Sequence, residues 1–313
     1  MQYCCFRKGG AFTMKLLLTI LAAILCFLAA IIGAVLFLLL HRKKGAFFDS
    51  DGVRIHYTDE GEGEPVILVH GYAVTADLNW RTPGIVRALL GKYRVITLDD
   101  RGHGLSDKPH DAGKYGLETV RDVIRLMDHL GIAKAHVAGY SMGGFIVLKL
   151  AMMYPDRLLS VVAGGAGWTL PTDENRALLE KVVSSMESGQ GIRPLAEWLR
   201  PVGRKQNRLL EWLVVTFINK TNDLPALGAT MRAIDQLEIG EAELRANKVP
   251  ILTIVGTADP LRSGVDALTG VLANHENLFI QGGDHMTAIL GPRFRNGMLD
   301  FFARHPAAQS DPA

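Results

Sequence analysis

"HVAGYSMGGFIVLKLA", His136 to Ala151, joins a short apolar run to a longer one through Gly139, Tyr140, Ser141, Met142 and Gly143. The first run, Ala135 to Tyr140, has the length and character of a strand buried on both faces. The second is apolar almost all round, which predicts a helix packed against a sheet rather than lying at the surface. Between them stands G-x-S-x-G. At a strand-to-helix turn the pattern has a mechanical meaning: the serine takes a strained backbone conformation, and only glycine-sized neighbours two positions away avoid its turn. The hydroxyl is then held above the sheet edge, at the positive end of the following helix.

The rest of the chain repeats this alternation. Val66 to His70, Arg94 to Asp99, Leu158 to Gly165 and Pro250 to Thr257 are further short apolar runs. Leu117, Val120, Ile124 and Met127 fall at helical spacing, with Glu118, Arg121, Asp122, Arg125 and Asp128 filling the opposite, solvent-facing side. Strands alternating with helices predict a wound α/β domain with a mostly parallel sheet. From about Gly167 to Ala246 the rhythm changes to helix-like segments rich in large apolar residues, including Trp168, Trp198, Trp212 and Phe217. Eighty residues exceed what one crossover needs, so the stretch reads as a helical cap, and those four aromatics are candidates for a substrate pocket.

A serine hydroxyl needs a base, and the base needs a carboxylate to fix its tautomer. "VGTADPL", Val255 to Leu261, puts Asp259 just past an apolar strand; "IQGGDHM", Ile280 to Met286, puts His285 in a glycine-rich loop after Leu278 to Gln281. Taken singly, an aspartate beside proline is a turn former, and His285 beside Asp284 is a solvated loop residue. Taken together, in the order Ser, Asp, His and all at strand ends, they read as a catalytic triad, because loops at the carboxyl ends of parallel strands meet at one edge of the sheet. "LVHGYAV", Leu68 to Val74, ends a strand in His-Gly. The backbone N–H groups of Tyr72 and Met142 are the expected oxyanion donors, and His70 is expected to hold its loop by a hydrogen bond rather than to act as the base.

The chain has 313 residues, 48% hydrophobic and 21% charged, with a formal charge of +2. Balanced, scattered charge excludes a nucleic-acid footprint. Its three cysteines, Cys4, Cys5 and Cys26, all precede the globular part, which leaves that part no disulfide framework and no thiolate metal site. Leu16 to Leu40 contains no charged residue, and as a helix its 25 residues exceed the roughly 30 Å of a bilayer core. The expected reading is a membrane-spanning helix. A cleaved signal has an apolar region of about 7–15 residues, and the small residues of Ala30 to Ala34 lie inside the run; core helices are rarely so uniformly apolar. Arg7, Lys8 and Lys15 before it nearly balance Arg42, Lys43 and Lys44 after it, so orientation stays open. A start at Met14 would tilt the balance toward a cytoplasmic domain, and Cys4 and Cys5 are candidate acylation sites. The expected layout is a tail over 1–15, a transmembrane helix over 16–40, core over 45–166, cap over 167–246, core over 247–305 and a tail over 306–313.

With "HGY", "LDDRGHGLSDKP" (Leu98 to Pro109), "AGYSMGG", "GTADP" and "GGDH" in this order, the chain from about Phe47 to Ala303 resembles the α/β-hydrolase family, in its bacterial branch of lipases, esterases and cofactor-free haloperoxidase-like enzymes. The resemblance implies an eight-stranded, mostly parallel sheet with a helical cap, and a mainly structural part for Asp100, Arg101, Gly102 and His103. Epoxide hydrolases and haloalkane dehalogenases are similar but carry aspartate where Ser141 stands, and no cap tyrosine for epoxide opening follows Tyr154. The expected activity is that of a membrane-anchored serine esterase or lipase acting on a small-molecule or lipid ester, such as a monoacylglycerol, at a bacterial inner membrane. It needs no metal and no organic cofactor. Perhydrolysis by the same triad and a non-catalytic ligand-binding role are the alternatives. Nothing in the sequence sets an oligomeric state.

Overall fold

The computed structural model describes residues 9–40, 43–168, 172–203 and 207–307. Cys4, Cys5, Arg7, Lys8 and Arg42, with much of both expected tails, lie outside the described residues. The chain divides into two units, Met1–Lys44 and Gly45–Ala313. In the first, helix α1 (Gly9–Leu40) begins seven residues before the apolar run. Its stretch Met14–Ala34 is long and apolar enough to cross a membrane by length and composition, a test that a signal sequence or a core helix also passes.

The second unit is built on one eight-stranded sheet of β1 (Ala46–Asp49), β2 (Arg54–Glu60), β3 (Glu64–Val69), β4 (Tyr93–Leu98), β5 (Ala135–Tyr140), β6 (Leu158–Gly164), β7 (Ile251–Gly256) and β8 (His275–Ile280). Their spatial order is β1-β2-β4-β3-β5-β6-β7-β8. Only β1–β2 and β2–β4 pair antiparallel; every other neighbour is parallel. Strands β3 to β7 are mostly buried, as continuous Val, Ile and Leu runs require, while the edge strand β8 is only partly covered.

Period-two alternation divides β3 between two cores. Ile67 and Val69 pack with α3 (Leu117–His129) and α4 (Met142–Met153) on one face, while Val66 and Leu68 pack with α2 (Ile85–Leu89) and α11 (Pro292–Ala303) on the other. Burying each such side chain contributes about 1.5–3 kcal/mol before the entropy of ordering it. Helix α4 buries eight of its twelve residues, which explains its nearly uniform apolarity.

The inserted helical subdomain comprises α5 (Asp173–Glu187), α6 (Arg193–Trp198), α7 (Arg208–Thr221) and α8 (Leu224–Arg232). Polar N-caps start three of them: Thr172 accepts from the Asn175 N–H, Asn207 from Leu210 and Asp223 from Ala226. Val182, Val183, Met186, Val215, Leu227 and Met231 form a small separate core that also takes in Ala73. Helix α9 (Glu241–Ala246) returns to the main core through Leu244, and α10 (Arg262–Leu268) does so through Leu268.

One expectation is corrected by the structure. Asp122, assigned by spacing to the solvent side of α3, is buried. It accepts from Arg101 Nε at 2.7 Å and Nη2 at 2.6 Å, and from the Ser50 hydroxyl. Helical periodicity places polar residues outward unless a partner from elsewhere in the chain draws one in, and here a fully buried guanidinium does so.

Candidate active site

Strand β5 ends at Tyr140 and α4 begins at Met142, so Ser141 alone makes the turn, at φ 54° and ψ −116°. A non-glycine residue in this region is strained by about 1–3 kcal/mol. The flanking glycines are required by contact: a Cβ on Gly139 would lie 2.0 Å from the Gly143 carbonyl oxygen, and one on Gly143 would lie 2.2 Å from that of Val69. Ser141 occupies the N-cap position of α4, where a serine ordinarily caps its own helix. Its hydroxyl makes no cap bond. It lies 2.9 Å from His285 Nε2 instead.

His285 comes from the loop after β8 and Asp259 from the loop after β7. Both strands are parallel to β5, so their carboxyl ends share its edge. His285 Nδ1 is 2.9 Å from Asp259 Oδ2, and both side chains are buried. Asp259 Oδ1 accepts from the Leu261 N–H at 2.9 Å, which fixes the rotation of the carboxylate. With Asp259 accepting from Nδ1, Nε2 presents its lone pair to the Ser141 hydroxyl. The arrangement can remove a proton from serine as it attacks a carbonyl carbon and return that proton to a leaving group.

The loop carrying His285 is braced by groups that the sequence does not mark. Asp284 Oδ1 accepts from the N–H groups of Met286 and Thr287 and from the Thr287 hydroxyl. Tyr140, the residue between Gly139 and Ser141, donates its hydroxyl to the His285 carbonyl oxygen at 2.6 Å. Burial, followed by the charges of Asp259 and Asp284, pushes the Tyr140 phenol well above its ordinary pKa, which keeps it a donor.

Met142 follows Ser141 directly, and Gly71, the residue before Tyr72, approaches the turn so closely that a Cβ there would lie 3.2 Å from the Tyr140 carbonyl oxygen. Met142 opens α4, where N–H groups have no intrahelical acceptor. The loop after β3 is pinned on three sides. The Gly71 N–H donates to Asn79 Oδ1 at 3.0 Å, so it is already engaged. His70 Nδ1 lies 2.7 Å from the Gly71 carbonyl oxygen, and its Nε2 accepts from the Asp100 N–H at 2.9 Å. These bonds hold the loop through the His70 ring. The Tyr72 hydroxyl reaches the Leu227 carbonyl in α8 at 2.8 Å, and Ala73 sits at φ 58°, a second strained residue beside the site. Behind the loop, Asp99 accepts from His56 Nδ1 and from the N–H groups of Ala76 and Leu105. Burial raises its pKa, but those bonds and the nearby His70 outweigh it and hold the carboxyl well below the usual range.

Of the expected pocket aromatics, Trp168 is half-buried and donates its indole N–H to the Ile239 carbonyl, and Phe217 is half-buried on α7. Trp198 and Trp212 are exposed. Among the described residues no group of three His, Cys, Asp or Glu side chains is placed to hold a metal ion.

The model of the family described as alpha/beta hydrolase fold matches residues 64–190. The sheet order, the serine turn and this match agree. The chain has the α/β-hydrolase fold. As an α/β-hydrolase-fold protein it is esterase-, lipase- and dehalogenase-like. It is 36% identical to haloalkane dehalogenase 2 of Mycobacterium tuberculosis over 134 residues, 43% of this chain and 46% of that one. It is 29% identical to 2-hydroxymuconate semialdehyde hydrolase of Pseudomonas sp. (strain CF600) over 267 residues, 82% of this chain and 93% of that one. A solved membrane phospholipase A, described as a bacterial virulence factor, matches with a TM-score of 0.66 over 96% of this chain and 100% of that one; at 23% identity this shows the fold. The chain spans less than half the length of the first curated relatives it matches.

Proposed function

We propose that this α/β-hydrolase-fold enzyme is a membrane-anchored serine esterase or lipase. The reading rests on one observation: the imidazole of His285 stands 2.9 Å from both the Ser141 hydroxyl and the Asp259 carboxylate. Ser141 attacks the ester carbonyl, His285 takes its proton, and Asp259 stabilises the imidazolium. The N–H groups of Tyr72 and Met142 receive the oxyanion, whose loss of one donor typically costs about 10²–10³ in rate. His285 then protonates the departing alcohol, and water repeats the sequence on the acyl-enzyme. A dehalogenase needs a carboxylate nucleophile, and Ser141 is not one, so the likeness to haloalkane dehalogenase 2 does not extend to its chemistry. The uncharged helix over 16–40 supports a tether to a bilayer, and with it a lipid-like ester as substrate.

A fluorophosphonate probe tests this reading on the full chain. Ser141 should be labelled, and Ser141→Ala should abolish the signal; an unlabelled wild type would overturn it. A screen of esters of increasing acyl length should peak beyond acetate.

A second reading is favoured by the likeness, across most of both chains, to 2-hydroxymuconate semialdehyde hydrolase. The same triad would then hydrolyse 2-hydroxymuconate semialdehyde rather than an ester. Turnover of 2-hydroxymuconate semialdehyde exceeding that of all esters would decide for it.

A further inference from the structure

Exposed apolar side chains scattered singly over a protein surface require no explanation, but clusters do. Outside α1, the described residues include ten exposed large apolar side chains, and six of them fall within residues 198–213: Trp198, Val202, Leu209, Leu210, Trp212 and Leu213. Helix α7 carries four of these on its outer side. Leu209 is 65% exposed, Trp212 53% and Leu213 49%, and all three share one helical face. The acid on this helix points the other way: Glu211 is largely covered and takes the Arg200 guanidinium at 3.1 Å. A soluble helix places its apolar stripe inward and its charges outward. Here the inner face packs Val215 and Ile218 into the subdomain core, and the outer face is apolar as well.

The face is flanked by positive charge. Arg208 opens α7 exposed, one turn before Trp212, and Lys220 is exposed near its end, two turns after Leu213. An apolar face bearing tryptophan, rimmed by Lys and Arg, has the composition of a helix that lies in a lipid–water interface. The face also adjoins the chemistry. The Val202 N–H donates to the Ala258 carbonyl, one residue before Asp259, and Met286 beside His285 is exposed as well.

We infer that the face formed by Trp198, Val202 and the outer side of α7 docks onto an anionic lipid bilayer. This contact is separate from α1 and lies in the helical subdomain that is linked to the site. It rests on the membrane tether of the proposed function and not on the ester chemistry. Docking would bring a lipid ester from the bilayer toward the serine without its first entering water.

Tryptophan fluorescence of the full chain in liposomes tests the contact directly, because residues 1–45 contain no tryptophan and the four in the chain are Trp80, Trp168, Trp198 and Trp212. Liposomes of phosphatidylcholine and phosphatidylglycerol, with part of the lipid brominated in its acyl chains, should quench the wild type. Trp198→Phe/Trp212→Phe should lower the quenched fraction at least about two-fold, since an interfacial helix buries its aromatic face to roughly 5–10 Å. Leu209→Asp/Leu213→Asp, at exposed positions, should likewise abolish quenching. It should also slow hydrolysis of a vesicle-embedded ester about ten-fold or more, with a soluble short-chain ester hydrolysed as before. Protein that floats with the liposomes while Trp198 and Trp212 stay open to aqueous iodide overturns the docking face and spares the tether. Protein that does not float overturns both. Shielding from lipid and iodide alike, with a dimer lost in Leu209→Asp/Leu213→Asp, overturns it in favour of a second copy of the chain. Fluorophosphonate labelling remains an independent reading of the serine chemistry in every case.

Discussion

Tyr140 donates its hydroxyl to the carbonyl oxygen of His285 at 2.6 Å, so the residue before the nucleophile holds the loop that supplies the base. One tight turn therefore aims the serine and braces its partner together. The two rings lie 5.6 Å apart between centroids, and Tyr140 is fully enclosed.

Tyr140→Phe keeps the ring and removes this one bond. A buried hydrogen bond contributes about 0.5–1.5 kcal/mol net, and the bereft carbonyl loses its partner. Activity should fall about three- to ten-fold in kcat with KM nearly unchanged, because the loss is in placement of His285 rather than in substrate binding. Steady-state kinetics on a soluble ester checks this. An unaltered kcat would show that the loop is held without Tyr140.

Asp259→Asn leaves the shape of the site and changes the tautomer that His285 is offered. The amide can donate to Nδ1, which moves the imidazole proton to Nε2 and removes the lone pair facing Ser141. We expect kcat to drop by about 10⁴ with the fold intact. Slow fluorophosphonate labelling with an unchanged melting temperature is the signature. Labelling at the wild-type rate would remove Asp259 from the mechanism.

The readable parts of the fold were those specified locally. Continuous apolar runs marked β3 to β7, and the glycine spacing around Ser141 marked the turn because the steric demand there falls on residues two positions away. Strands β1 and β2 were not individually marked: β1 has only four residues, and β2 buries the polar side chains of His56 and Thr58 beside Ile55 and Tyr57, so no apolar run stands out. Asp122 was misplaced because its partner, Arg101, lies 21 residues earlier in the chain. Tyr140, Asn79 and Asp284 had no sequence signal: Tyr140 and Asn79 act through a backbone group of another segment, and Asp284 braces its own loop through the N–H groups of Met286 and Thr287. Trp198 and Trp212, grouped by composition with the pocket aromatics, are on the exposed side of the subdomain, a distinction that helical period alone does not make when both faces are apolar.

Arg101 and Asp122 form a bidentate pair in which each side chain is 1% exposed. Removing one partner of such a pair leaves an uncompensated buried charge, which costs about 3–5 kcal/mol. Arg101→Ala should therefore lower stability by that amount in chemical denaturation. Arg101→Met/Asp122→Leu should recover much of the loss, since no charge is then stranded. A double variant no more stable than Arg101→Ala would mean that the pair does more than neutralise itself.

Asp100 gives a stability signature in pH. Its side chain is enclosed next to Asp99, neither oxygen has a hydrogen-bond partner among the described residues, and the His70 Nε2 is 3.8 Å away. Burial pushes its pKa up from 3.8 to about 7, the charges of Asp122 and Asp99 adding to the rise while His70 and Arg101 oppose it. Between those two values the folded chain binds a proton that the unfolded chain has released. By linkage, this contribution is fully present below about pH 4 and is lost as pH rises through about 7. Asp100→Asn is neutral at every pH and nearly the same size. It should melt close to the wild type at pH 5 and higher than the wild type at pH 8, where the wild type must bury a carboxylate or hold a proton against its solution. Melting temperatures of both proteins across pH 5–8 make the comparison. A deficit of the same size for Asp100→Asn at both ends of that range would show that the carboxylate itself, not the neutral acid, fits the site.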